Sequence, residues 1–166
     1  MRRRFAVRSV AASAAAVLMS VFFVAPAQAA FYRQWRNGNS TQCMGTNNGY
    51  TTNGTVVIQW GCNNNPDQKW LDVPLDDGEW YRIQNLADPT KCLGVMNGST
   101  TPGAQIIIWD CNGNWDQQWT LVAFNGQYVF YNRASYRIIG IAGASRTPGG
   151  GAVLWDWQNN PDQRWY

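Results

Sequence analysis

The sequence predicts an all-β fold of three repeats closed with pseudo-threefold symmetry, and two independent landmarks predict it. The first is a Gln-x-Trp triplet, present as Gln68-Lys69-Trp70, Gln117-Gln118-Trp119 and Gln163-Arg164-Trp165, in steps of 49 and 46 residues. The second lies six residues before each Gln, at Cys62, Cys111 and Trp157, and again 19 residues earlier, at Cys43, Cys92 and Ile138. Both keep one register, so the period belongs to the whole segment and not to a single motif.

Each unit supplies about four short strands. The first is expected at 31–36, 80–84 and 128–131, and the second around Cys43, Cys92 or Ile138. The triads Thr52-Asn53-Gly54, Thr101-Pro102-Gly103 and Thr147-Pro148-Gly149 follow. They read as turns, because Pro pre-sets φ at the first central position of a type II turn and Gly tolerates positive φ at the second. The runs after them, 56–60, 106–109 and 152–155, are rich in β-branched and large apolar residues and too short for helices, so they read as strands. A fourth strand closes each unit at the triplet. The repeats therefore run over about 31–73, 80–122 and 127–166, giving about twelve strands. One unit alone leaves its apolar face wet, whereas three bury a common core as one cooperative domain. A propeller is the competing repeat architecture, but three blades fall below its usual minimum of about four. The expected architecture is thus a β-trefoil over 30–166.

The first eight residues carry Arg2, Arg3, Arg4 and Arg8, followed by an apolar run and then Ala27-Gln28-Ala29, a small-x-small cleavage pattern. Residues 1–29 are expected to be a secretory signal peptide, and the protein to be extracellular. The apolar run is short for a membrane span, and no later stretch is continuously apolar, so no span is expected in the mature chain. Arg2-Arg3-Arg4-Phe5 partly resembles a twin-arginine signal, but that route exports folded protein and the cytosol disfavours disulfides, so the general secretory route is preferred. Four of the thirteen basic residues leave with the signal while all ten acidic residues stay, which leaves nine basic against ten acidic. The mature charge is near −1. That balance speaks against a nucleic-acid partner, which needs clustered Lys and Arg. A monomer is expected.

Four cysteines in an exported chain allow three pairings, and only Cys43–Cys62 with Cys92–Cys111 respects the repeat. Ile138 and Trp157 stand at the same positions in repeat three, so an apolar contact replaces a covalent one and the cysteines read as structural. No metal and no cofactor is expected: there is no histidine and no paired Cys-x-x-Cys spacing.

The three triplets, the Cys pair before two of them and the consistent Gly before the third strand resemble the ricin-B-type lectins and related carbohydrate-binding modules, over essentially all of 31–166. The resemblance implies a six-stranded barrel capped by three hairpins, with one shallow sugar site per repeat. In that family a sugar is held by an Asp two residues after the first Cys, an aromatic two residues before the second, and an Asn or Asp beside the Gln of the triplet. Carried over, the aromatics are Trp60, Trp109 and Trp155, and the last polar residues are Asp67, Asp116 and Asp162. Gly45, Gly94 and Gly140 take the place of the first Asp in all three repeats. A pyranose has an apolar face that stacks on an indole, while nearby carboxylates and amides orient its hydroxyls. Trp109-Asp110 and Trp155-Asp156 offer that combination directly, repeat one has Trp60-Gly61, and Asn48 and Asn97 stand where side-chain hydrogen bonds partly replace the lost carboxylate. Gly143 is their counterpart in repeat three.

Competing structural readings stay open at this level. Strand parity places Trp109 on the side of Ile107 and Cys111, which suits inward packing as well as a sugar platform. Trp70, Trp119 and Trp165 suit a threefold core, and Gln68, Gln117 and Gln163 suit internal hydrogen bonding to backbone. Asp67, Asp116 and Asp162 sit in Asn-rich turns, where Asp bonds its own backbone. The run Asp76-Asp77-Gly78-Glu79 reads as a solvated loop, since glycosidase chemistry needs two carboxylates flanking a bond. Without histidine there is no Ser-His or Cys-His nucleophile system, so no enzyme is expected. The function expected is a secreted, non-catalytic module whose partner is carbohydrate, either polysaccharide or glycoconjugate. The alternative is a trefoil that binds protein, such as a protease inhibitor, with sugar recognition lost.

Overall fold

The computed structural model describes residues 31–166; the expected signal over 1–29, and Ala30 after it, lie outside the described residues. Among the described residues there are ten strands: β1 (Cys43–Thr46), β2 (Val57–Trp60), β3 (Trp70–Pro74), β4 (Tyr81–Asn85), β5 (Asp88–Val95), β6 (Ile106–Asp110), β7 (Trp119–Phe124), β8 (Gln127–Asn132), β9 (Ile138–Ile141) and β10 (Ala152–Trp155). The only helical elements among the described residues are six three-residue 3-10 turns.

Threefold order is visible in the pairing. The hairpins β1–β2, β5–β6 and β9–β10 place Cys43, Cys92 and Ile138 opposite Trp60, Trp109 and Trp155. A second set pairs Trp70 with Asn85 and Trp119 with Asn132, and an isolated bridge joins Trp165 to Asn37. A third set closes the barrel through Arg33 to Trp70, Tyr81 to Trp119, and Tyr128 to Trp165. The β-trefoil expected from the repeats is the architecture observed. The strands expected at 31–36 and at the last triplet are reduced to isolated bridges, because each meets a partner at only one or two residues.

The turns match their sequence chemistry. Thr52, Thr101 and Thr147 carbonyls accept from the N–H three residues on, at 3.0, 3.2 and 3.3 Å, and Gly54, Gly103 and Gly149 have φ of +85°, +86° and +87°. This is the type II geometry that only Gly adopts freely.

Alternation along β2, β6 and β10 sorts residues between two environments. Val57, Ile106, Ile108, Ala152 and Leu154 enter the core with Met44, Leu93, Ile139, Phe130 and the fully buried Trp70, Trp119 and Trp165. The three indole N–H groups donate to the carbonyls of Met44, Leu93 and Ile139 at 2.9, 2.9 and 3.2 Å, so no buried indole is left without a partner in this set. Disulfides join Cys43 to Cys62 and Cys92 to Cys111.

Candidate functional site

The other face of each hairpin opens on a hollow. In repeat one it is lined by Thr46, Asn48, Trp60, Asn63, Asn65 and Asp67 and encloses about 240 Å³. In repeat two the equivalent residues are Val95, Asn97, Trp109, Asn112, Asn114 and Asp116, around about 250 Å³. In repeat three they are Ile141, Gly143, Trp155, Gln158, Asn160 and Asp162, around about 370 Å³.

Trp60, Trp109 and Trp155 are 49, 44 and 40 % exposed, so none is a core residue. Parity correctly puts Trp109 on the side of Ile107, but that side is the floor of the hollow and lies outside the barrel core: Ile107 is buried and lines the hollow beneath the indole. The inward-packing alternative for Trp109 is therefore overturned.

The triplet glutamines hold the far wall. The Nε2 groups of Gln68, Gln117 and Gln163 donate to the carbonyls of Gly61, Asp110 and Asp156 at 3.0, 3.0 and 2.9 Å, and their Oε1 atoms accept from the N–H of Asn63, Asn112 and Gln158. These bonds tie the residues on either side of Cys62, Cys111 and Trp157 to the 3-10 turn that carries the Asp. Three buried asparagines fix the same turn from the following repeat: Asn85, Asn132 and Asn37 donate to the backbone carbonyls of Asp67, Asp116 and Asp162 at 2.8, 2.9 and 2.7 Å. They recur every 48 and 47 residues, a near-period visible in the sequence but offset from the triplet register.

So positioned, each Asp leans across the glycine opposite. A Cβ on Gly45 would lie 3.0 Å from Asp67 Oδ2, on Gly94 3.3 Å from Asp116 Oδ2, and on Gly140 3.2 Å from Asp162 Oδ2. None of the three glycines has positive φ, so they provide space and not conformational freedom. The carboxylate missing from the strand is supplied from the facing turn. Burial raises the pKa of Asp67, Asp116 and Asp162 above the ordinary value, opposed by bonds accepted from backbone N–H groups, including those of Thr46, Val95 and Ile141. The last of these is 3.3 Å long. Asn48 and Asn97 wall their hollows in the left-handed region, at φ of +55° and +56°, which Asn tolerates better than most residues.

Asp110 and Asp156 line none of the three hollows. Asp110 pairs with Lys91 and accepts from Asn53 at 2.6 Å; the Lys91 bond, then that of Asn53, lowers its pKa. Asp156 pairs with Arg137 Nε at 2.7 Å, and Arg137 also donates to Thr100 O at 2.6 Å. The equivalent residue in repeat one, Gln42, donates to Arg146 O at 2.6 Å. All three links hold the preceding repeat's turn in the ring against the next indole: Cβ atoms on Gly54, Gly103 and Gly149 would lie 3.7, 3.6 and 3.8 Å from the Cζ3 atoms of Trp109, Trp155 and Trp60. Sequence reasoning missed this, along with Asn63, Asn65, Asn112, Asn114, Gln158 and Asn160, although their spacing follows the repeat. Asp77 of the acidic run pairs with Arg133 at 3.0 Å, away from the hollows.

The family model described as ricin-type beta-trefoil lectin domain-like matches residues 24–109. The chain has no significant match among curated protein sequences. Among solved structures, the designed threefold-symmetric protein ThreeFoil is 29 % identical, with a TM-score of 0.78, over 81 % of this chain and 95 % of its own. An exo-β-1,3-galactanase from Clostridium thermocellum is 24 % identical, with a TM-score of 0.78, over 84 % of this chain and 30 % of its own, a likeness of fold alone. The hemolytic lectin CEL-III is 26 % identical, with a TM-score of 0.63, over 81 % of this chain and 29 % of its own. This chain thus spans about a third of each of the last two.

Proposed function

Since this chain belongs to the ricin-type beta-trefoil lectin domain-like family, we propose that it is a secreted, non-catalytic module that binds polysaccharide or glycoconjugate through its three hollows. The observation that carries this is the threefold recurrence of a half-exposed indole in a hollow that also holds a partly buried carboxylate and carboxamides. The indole takes the apolar face of a pyranose, and the carboxylate accepts from its hydroxyls with less competition from water than a surface acid has. Trp60, Trp109 and Trp155 are the platforms in this reading. Asp67, Asp116 and Asp162 are the acceptors, and Asn48 and Asn97 the lateral donors. Asp110 and Asp156 act indirectly, by fixing the turn that bounds the next platform.

Each hollow has one carboxylate, whereas glycoside hydrolysis needs two flanking the bond, which supports binding without turnover. The leader sequence and two disulfides support secretion, because cystines persist in oxidising compartments. Three weak sites engaging one polymer raise avidity without new contacts.

The test is a glycan array and polysaccharide pull-down with the folded protein and with a variant carrying Asp67→Asn, Asp116→Asn and Asp162→Asn. Binding by the parent and its loss in the variant are expected. Absence of binding by a folded parent would overturn the reading and leave the protein-binding alternative.

A further inference from the structure

The three hollows share a frame but differ in chemistry, and repeat three departs from the other two in one consistent direction. Its volume is about 370 Å³ against about 240 and 250 Å³. The floor position that is Thr46 in repeat one is Val95 in repeat two and Ile141 in repeat three. The wall is Asn47-Asn48-Gly49 in repeat one and Met96-Asn97-Gly98 in repeat two; in repeat three it is Ala142-Gly143-Ala144. The backbone is the same in all three, with φ of +55°, +56° and +62° at the central residue, so the change is one of side chains alone. An amide has been removed from the wall, and methyl groups line both sides of the gap.

Opposite that apolar wall the polar side is kept. Asp162 lines the hollow with a carboxylate whose Oδ2 accepts from the N–H of Ile141 and retains further acceptor capacity, and Gln158 and Asn160 remain on the rim. A ligand group that fits must present a methyl to Ile141, Ala142 and Ala144 and an N–H to the Asp162 carboxylate. An acetamido substituent has both, and it needs more room than a hydroxyl.

Resting on the carbohydrate reading above, we infer that the repeat-three hollow is selective for an N-acetylhexosamine, while the hollows of repeats one and two take hexoses bearing hydroxyls alone. A methyl buried against that wall is worth about a fourfold gain in affinity, and the N–H bond to the Asp162 carboxylate adds to it. A shallow hollow yields less than an enclosed pocket, where one methylene gives ~10-fold or more.

The test uses the indole N–H signals of Trp60, Trp109 and Trp155 in a proton–nitrogen correlation spectrum, assigned by single Trp→Phe variants. The folded chain is titrated in turn with the methyl β-glycosides of glucose, N-acetylglucosamine and a 6-deoxyhexose. The expected result is that Trp155 responds to the N-acetyl sugar about fivefold more tightly than to glucose, and that Trp60 and Trp109 show no such preference. Gly143→Asn, which restores the amide at a backbone already suited to Asn and whose Cβ would meet no atom within 4 Å, should abolish the preference and leave the other two signals unchanged.

Equal affinity of Trp155 for glucose and N-acetylglucosamine would overturn the inference while leaving the carbohydrate reading intact. So would a preference for the 6-deoxyhexose over the N-acetyl sugar, which would show that the methyl alone is read. No response of any of the three indoles to any sugar would instead sink the carbohydrate reading itself.

Discussion

Restoring the acid that related lectins carry two residues after the first Cys, as Gly94→Asp, should destabilise this chain by about 3 kcal/mol. A Cβ at Gly94 would stand 2.9 Å from Gln117 Cγ and 3.3 Å from Asp116 Oδ2. Gln117 cannot swing aside, because both ends of its amide are bonded at 3.0 Å to backbone. Overpacking of this kind costs about 1–3 kcal/mol. Two carboxylates about 4 Å apart repel by ~1 kcal/mol in water and ~4 at an effective dielectric of 20, and the half-exposure of Asp116 puts the value near the lower end. In urea, with a slope of about 1.5–2 kcal/mol per molar, the midpoint should fall by about 1.5–2 M. Adding Asp116→Asn removes the like charge and should recover at least ~1 kcal/mol relative to the sum of the single changes. Gly140→Asp should cost less than Gly94→Asp, since its nearest neighbours stand at 3.2 and 3.3 Å. Tryptophan fluorescence during urea melts reads all five proteins, the Asp116→Asn single variant included. A Gly94→Asp variant as stable as the parent, or strict additivity in the double variant, would show that the two side chains do not contest one space, and the relocated-carboxylate argument would fail.

Further consequences can be measured with the same material. Trp109→Ala should weaken sugar binding in its own hollow at least tenfold while costing less than ~1.5 kcal/mol, whereas Trp119→Ala, fully buried, should cost about 3–5 kcal/mol; calorimetric titration and urea melts separate the two. Burial raises the pKa of Asp67, Asp116 and Asp162 above the ordinary 3.8, so the folded state holds these protons more tightly than the unfolded chain. Stability from these groups is therefore full below that value and is lost as pH rises through the raised values. Binding needs the ionised form and should fall as pH drops through the same window; the stability of the parent relative to the Asp67→Asn, Asp116→Asn, Asp162→Asn variant, which removes the opposite contributions of Asp77, Asp88 and Asp110 from the comparison, should rise as affinity falls between about pH 7 and 3. Replacing Cys43 and Cys62 together by Ser should cost about 3 kcal/mol on the chain-entropy model, with repeat three, which has no bridge, left unperturbed in its indole signals.

Much of the architecture was legible because its determinants repeat. Two landmarks in one register fixed the number of units, the shared 19-residue spacing fixed the cystines, and the Pro-Gly turn chemistry fixed where the second hairpin strands begin. The shortfall in strands has a simple cause: the segments at 33–37 and at Trp165 pair across the barrel seam at single bridges, which a run of apolar residues does not reveal. The site was less legible. Reading Trp109-Asp110 and Trp155-Asp156 as joint sugar contacts neglected that consecutive strand residues point to opposite faces. The Asp beside an outward indole must face away from the hollow, and here it meets Lys91 or Arg137 instead. Gly45, Gly94 and Gly140 read in the sequence as a loss. Only the three-dimensional approach of the triplet Gln and its neighbouring Asp shows how little room a side chain has there.

That approach also explains why the three hollows belong to the closed ring and not to single repeats. Each combines its own hairpin with a turn from the preceding repeat in the ring, pressed on the indole at Gly149, Gly54 or Gly103, and with an Asn from the following repeat, Asn85, Asn132 or Asn37, which holds the Asp-bearing turn. An isolated repeat has the Trp, the Asp and the triplet Gln but neither brace, so the Asp-bearing turn would be held from one side only and its carboxylate more open to water, where it gains less as an acceptor. Folding of the whole trefoil is what sets the distance between indole and acid. Site geometry and global stability are therefore coupled through the Gln and Asn bonds, and a change in any one of them acts on a hollow in its own repeat or in a neighbour.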